Sequence, residues 1–182
     1  MLTLTLTTTT NLGPMLEQLA VRARLVAGET PPTDTELAEV HDHVAKQLDV
    51  TRAAQAKALK TQLGDALPKG IRLKKVDSAR DGLTLTSMTT LELDDVSLVP
   101  EVVLAAAEGQ PPLKPFAGFT VKQDKTQVTL TGRAPTMPEG AGRLALTLEP
   151  SSPPLSHNAA SVAGGALAWA GNGFDVKVVF AR

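Results

Sequence analysis

The sequence predicts an α+β protein, with an N-terminal strand or arm and a helical segment followed by a mainly antiparallel β-sandwich or barrel. Three observations carry that expectation. Residues 2–8 alternate strictly as Leu-Thr-Leu-Thr-Leu-Thr-Thr, residues 12–67 carry apolar stripes at helical spacing, and from Ile71 onward the apolar period is two, interrupted by Pro/Gly-rich loops. The chain accordingly divides into an extended arm (1–12), a helical segment (13–68) and an antiparallel β domain (69–182).

Each element has its own local signal. Period two places Leu2, Leu4 and Leu6 on one face of the first strand and threonines on the other. Met1 to Thr10 has no charge to protect an edge, so this strand requires a partner sheet. Gly13-Pro14 opens a helix whose stripe is Leu12, Met15, Leu16, Leu19, Ala23 and Val26, and Gly28 stops it. Thr33 and Glu36 have capping-box spacing, and Leu37, Val40, Val44 and Leu48 continue a second stripe. Asp49-Val50-Thr51 either interrupts that helix or is absorbed by it, and Pro68 to Gly70 ends the helical segment.

In the β region, Ile71–Val76 and Leu83–Met88 flank Asp81-Gly82 as a hairpin, and Leu91–Leu98 reads as another strand. Pro100–Glu108 reads as a short Ala-rich helix. Phe116–Gln123 and Thr126–Thr131 form a second hairpin, and Arg143–Glu149 is a strand. Ala166–Ala170 and Phe174–Phe180 straddle Asn172-Gly173, the strongest local hairpin signal in the chain.

Composition excludes more than it offers. The 182 residues carry a net charge of −1, which provides no global attraction to nucleic acid or acidic membranes. There is no Cys, so thiolate nucleophiles, disulfides and Cys-ligated zinc are absent together. All five aromatics (Phe116, Phe119, Trp169, Phe174, Phe180) lie at or after residue 116, which denies the rest of the chain a stacking platform for bases or sugars. Met1 to Thr10 lacks the basic and continuously apolar regions of a secretion signal. The uncharged stretch 150–174 is too rich in Pro, Ser and Asn for a membrane span, so a soluble protein made in a cytoplasm is expected.

No catalytic or cofactor constellation emerges. His41 and His43 point to different sides of one helix. Glu39 and His43 are correctly spaced for a shared metal but lack a third ligand, and His157 beside Ser156 is adjacency without a nucleophile elbow. Glu92, Asp94 and Asp95 form an acidic cluster without a calcium-loop pattern, and Gly171-x-Gly173 is not followed by a helix. The expectation is no enzyme activity, no metal and no cofactor.

Two interaction readings remain, alongside a third in which Trp169 and the phenylalanines bind a small ligand or sugar. The first places main-chain pairing and leucine insertion at Leu2, Thr3, Leu4, Thr5, Leu6 and Thr7, against a neighbouring protein's sheet. The uncharged 150–174 region then supplies a second contact. The alternative is DNA binding: residues 44–63 resemble the helix-turn-helix of winged-helix regulators. In that reading Thr51, Arg52 and Gln55 face bases, while Lys57, Lys60, Lys74 and Lys75 face phosphates. Residues 44–75 carry Lys46, Arg52, Lys57, Lys60, Lys69, Arg72, Lys74 and Lys75 against Asp49 and Asp65. The turn has Asp49 where Gly is usual, and Gln55 occupies an inward position.

The Leu2–Thr8 strand, the Leu16-x-x-Leu19 helix after it and the Thr/Gly/Pro-rich β domain together resemble accessory virion proteins of tailed bacteriophages, of head-to-tail joining, tail-completion or capsid-decorating type. The resemblance is one of organisation over the whole chain and transfers no residue role. It implies a non-enzymatic subunit of a larger oligomeric particle, whose partners are copies of itself or other particle proteins, fastened by arms and loops.

Overall fold

The computed structural model describes residues 1–103, 114–136 and 142–182, and for residues 50–60, 62 and 64–66 it describes the backbone alone. Among the described residues ten strands form two antiparallel sheets, and two helices stand between the first and second strands. In chain order these are β1 (Leu2–Asn11), α1 (Gly13–Val26), α2 (Asp34–Ala66), β2 (Ile71–Asp81), β3 (Thr84–Leu93), β4 (Thr120–Gln123), β5 (Gln127–Arg133), β6 (Gly142–Pro150), β7 (Ser156–His157), β8 (Ser161–Ala163), β9 (Ala166–Gly171) and β10 (Asp175–Ala181).

The larger sheet has the order β2-β3-β1-β6-β9-β8 and the smaller β4-β5-β10-β7. Their facing sides make one core. Leu2, Leu4, Leu6, Leu91, Leu93, Leu144, Leu146, Leu148, Leu167 and Trp169 come from the large sheet, and Leu130, Val176 and Val178 from the small one. Phe116 and Phe119, packed edge to face at 5.1 Å between ring centroids, fill the same space. The α+β expectation is met, and the sandwich form of the β domain with it.

The first correction concerns β1, which is not an arm. It lies inside the large sheet, paired along its length with β3 on one side (Leu4↔Leu91) and β6 on the other (Leu4↔Leu148). Alternation works as read, with Leu2, Leu4 and Leu6 no more than 3% exposed, but the apolar face they fill is the protein's own. Residues 1–12 therefore belong to the β domain, and residues 13–68 are a helical excursion between two strands of one sheet.

A second correction concerns the helix interior. α2 runs unbroken through Asp49-Val50-Thr51, so the turn required by a helix-turn-helix is missing. Thr33 caps it in the expected box, accepting from the Glu36 amide while the Glu36 carboxylate accepts from the Thr33 amide at 2.8 Å. Arg24 of α1 bridges Glu29 and Glu36, tying the two helices at their joint. Farther along, the Arg80 guanidinium of β2 holds the Asp49 carboxylate, with Nε donating at 2.8 Å. Arg80 lies in register with Leu85 and Thr10, on the core-side face of the sheet beyond the sandwich. Here α2 takes over from the small sheet as the covering layer.

The β2–β3 hairpin forms around Asp81-Gly82, with Gly82 at φ +56, and it is longer than the alternation suggested. Leu91–Leu93 closes β3, and the expected strand to Leu98 is instead a 3-10 turn over Val96–Glu101. The Asp95 carboxylate starts that turn by accepting from Ser97 N at 2.8 Å. Val99 from the turn is fully buried. The Ala-rich helix expected to Glu108 falls mostly on residues 104–113, outside the described residues. The β4–β5 hairpin is present.

The third correction is at Asn172-Gly173. No hairpin forms there: β9 pairs with β6 and β8 in the large sheet, whereas β10 pairs with β5 and β7 in the small one. The hairpin turn of this region is Gly164-Gly165, at φ +58 and +87, which joins β8 to β9. Both arms of that hairpin then bend across the sandwich together, one through residues 158–160 and the other through 172–174. Asn158 N bonds to Lys177 O in the small sheet, and two residues later Ala160 N bonds to Ala168 O in the large one. The uncharged 150–174 stretch thus builds β7, β8 and β9.

Candidate interaction surfaces

Fold placement decides what each predicted site residue can do. Leu2, Leu4 and Leu6 are core, and the backbones of Thr3, Thr5 and Thr7 are consumed by β3 and β6. None of the six can extend a neighbour's sheet, because an inner strand has no free ladder edge. Thr51, Arg52, Gln55, Lys57 and Lys60 lie on the continuous α2 helix, and their side chains fall outside the described residues. The two lysines assigned to phosphates on the hairpin are engaged. Lys74 pairs with Glu92 at 3.5 Å and Lys75 with Asp77 at 2.6 Å.

The acidic cluster is neutralised in the same way. Arg72 reaches Glu92 at 3.5 Å and Asp94 at 2.6 Å, and the carboxylates raise the guanidinium's affinity for its proton, Asp94 first. Asp95 is spent on the Ser97 amide, which holds its carboxyl below the usual range. Among the described residues no group of three metal-ligating side chains exists. His41 Nε2 lies 3.8 Å from Glu17 across the helix pair, while Glu39 and His43 are exposed. His157 Nδ1 accepts from the Ala159 amide at 3.2 Å, a bond that shapes the corner between the sheets.

Three of the five aromatics are withdrawn into the core. Phe116, Phe119 and Trp169 are at most 4% exposed, so no ring of this set can stack on a sugar. Phe180 borders a cleft of about 330 Å³ at one end of the sandwich, together with Asp95, Val96, Gln123 and Arg182.

Among the described residues most of the exposed large apolar side chains lie on the helical excursion, Met1, Leu155 and Val162 being the others. Met15 is 51% exposed, Leu19 55%, Leu25 60% and Val26 82%. On α2, Val40 is also exposed. Sequence reading placed Met15, Leu19 and Val26 on one stripe; the structure turns that stripe to solvent. With Arg22 they follow the i, i+4, i+7, i+11 spacing of one helix face. Around the side of α1, Pro14, Val21 and Leu25 line a second shallow apolar groove rimmed by Glu17 and Arg22. Periodicity identified these residues, but nothing local in the sequence distinguishes a stripe facing the protein's own core from one facing outward.

No helix among the described residues is long and apolar enough to cross a membrane. No protein-family model matches the chain, and no curated protein or solved structure matches it.

Proposed function

We propose that this chain is a non-enzymatic structural or assembly protein, a subunit that joins other proteins in a larger particle. The tailed-phage head-tail, tail and decoration subunits it resembles in organisation are the type. One observation carries the reading: α1 presents Met15, Leu19 and Val26 to solvent along a single line, on a helical pair standing outside a complete sandwich. Burying such side chains is worth about 1.5–3 kcal/mol each, so a folded protein leaves them bare at a cost unless a partner covers them. A helix presenting apolar anchors at this spacing fits an apolar groove on a different subunit. The attachment surface in this reading is the first helix and not the first strand.

The test is binding to the partner subunit with the Leu19→Glu/Val26→Glu variant beside the unaltered chain. Partners captured from the producing cell are identified, purified and titrated against both proteins. The reading expects a stoichiometric partner whose affinity falls at least tenfold in the variant while the variant's circular dichroism stays unchanged. A partner that binds both equally, or no reconstituted partner at all, overturns it.

A further inference from the structure

The large sheet has a second face, opposite the core, over which no described element packs. Its residues follow from the register. Thr3 stands between Glu92 and Glu149, Thr5 between Thr90 and Thr147, Thr7 between Met88 and Ala145, and Thr9 between Thr86 and Arg143. Ala168 and Ala170 extend the middle rows onto β9. On β2, Lys75 lies beside Thr90 and Asp77 beside Met88. The centre of this face is uncharged and, Met88 apart, built from short side chains; its threonines are half-buried.

The charges on this face are arranged with a symmetry. Arg143 and Glu149 sit on the same strand at equal distances from Leu146, both exposed, and neither has an ion pair among the described residues. Take a two-fold axis in the plane of the face, across the strands, level with Leu6 and Leu146. It lays β6 of one copy antiparallel over β6 of the other and sets Glu149 opposite Arg143, twice. The same operation sets Lys75 opposite Asp77, also twice, although these two already pair with each other within each protomer. Thr3 meets Thr9, Thr5 meets Thr7, and Thr147 meets Ala145. Glu92 meets Thr86, and its charge is already matched by Arg72 and Lys74.

We infer that this open face is the interface of a two-fold dimer, in which a second copy of the chain packs sheet against sheet. Size agrees with that occupant. Four strands about 4.8 Å apart carry all four rows, spanning about 20 Å, and β9 and β8 carry part of them, which gives a plan area of roughly 500 Å², against ~800 Å² of accessible surface per partner in a standard interface. Aligned sheets pack about 10 Å apart and are rotated by about 30°, which short Thr and Ala side chains permit and long charged flanks can follow. Acids and bases balance across the face, which favours neither nucleic acid nor an anionic membrane as the occupant. An isologous contact of this kind closes on itself and leaves the helical pair of each copy free for another subunit.

Sedimentation across a wide concentration range at low salt tests the inference, using the full chain and charge-reversed variants. The unaltered chain should dimerise. Arg143→Glu places like charges opposite Glu149 at both ends and should raise the dissociation constant at least tenfold, as should Glu149→Arg. The double variant R143E/E149R restores the pairing and should return the constant to within about threefold of the original. Leu19→Glu, on the helical pair, should leave it unchanged, which separates this interface from the proposed partner site. A strict monomer at every concentration overturns the inference. So does a dimer indifferent to both single reversals, or one that the double variant fails to rescue while its circular dichroism matches the parent's.

Discussion

The indole Nε1 of Trp169 donates a 3.0 Å hydrogen bond to Asn158 Oδ1, and through it the two sheets of the sandwich are tied at their shared corner. Trp169 belongs to the large sheet and is 3% exposed. The same Oδ1 accepts from Lys177 N at 2.7 Å in the small sheet, and Asn158 Nδ2 donates to Asp175 O at 3.0 Å. One amide side chain thus satisfies a buried indole and two backbone groups of a strand in the opposite layer.

Replacing Asn158 by Ala leaves the indole N–H without its acceptor and frees two backbone groups where the chain changes sheets. The expected cost is about 1–3 kcal/mol. Trp169 is the chain's only tryptophan, so its emission follows this corner directly. Urea titration of Asn158→Ala should show a lower midpoint, with an emission maximum already shifted to the red before unfolding begins. An unchanged midpoint would show that water replaces the amide without loss.

Deleting residues 1–10 should abolish folding. β1 is hydrogen-bonded on both sides, so its removal opens the sheet between β3 and β6 and strips Leu2, Leu4 and Leu6 from the core. A milder probe is Leu4→Ala at a fully buried site, expected to cost about 2–5 kcal/mol. The check is thermal unfolding of the point variant and circular dichroism of the deletion. A folded deletion would mean that the strand is dispensable, as an arm would be.

Alternation in residues 2–8 made β1 legible as a strand with leucines on one side, because a period of two is a local property. Its place in the middle of the sheet was not legible, since its partners lie about 85 and 145 residues away and pairing at that range leaves no local mark. Asn172-Gly173 shows the converse. Positive φ at Gly173 is present as the dipeptide suggests, but a positive φ serves a bend between sheets as well as a turn within one. Gly164-Gly165 carried the true hairpin signal and was hidden by weak flanking strands of Ser, Val and Ala. The apolar stripe of α1 was visible in outline; whether it faces inward depends on tertiary packing alone.

Gly132 predicts a steep packing penalty. A Cβ at this position in β5 would lie 2.2 Å from Cδ1 of Phe119, whose ring is buried and braced by Phe116. Gly132→Ala must push the ring off its site, at about 1–3 kcal/mol for an overpacked core. Adding Phe119→Ala removes Cγ and the ring together and so relieves the clash, and the double variant should lose less than the sum of the two single losses. Additive losses in a double-mutant cycle would place the Ala methyl somewhere other than against the ring.

Acid should loosen the β4–β5 hairpin. The Asp124 carboxylate accepts from Thr126 N at 2.7 Å and Gln127 N at 2.8 Å. Those backbone donors, Thr126 ahead of Gln127, hold its carboxyl below the usual range. A carboxyl with its pKa depressed by folding adds stability above the unfolded value and loses it as pH falls through the folded value. Asp124 is therefore fully effective at neutral pH and fades below about pH 4. Asp124→Asn retains an acceptor without the charge, so it should lower the urea midpoint at pH 7, and the difference from the parent should close as the pH falls. A gap that stays constant through the acid range would show that the turn depends on the shape of the side chain and not on its charge.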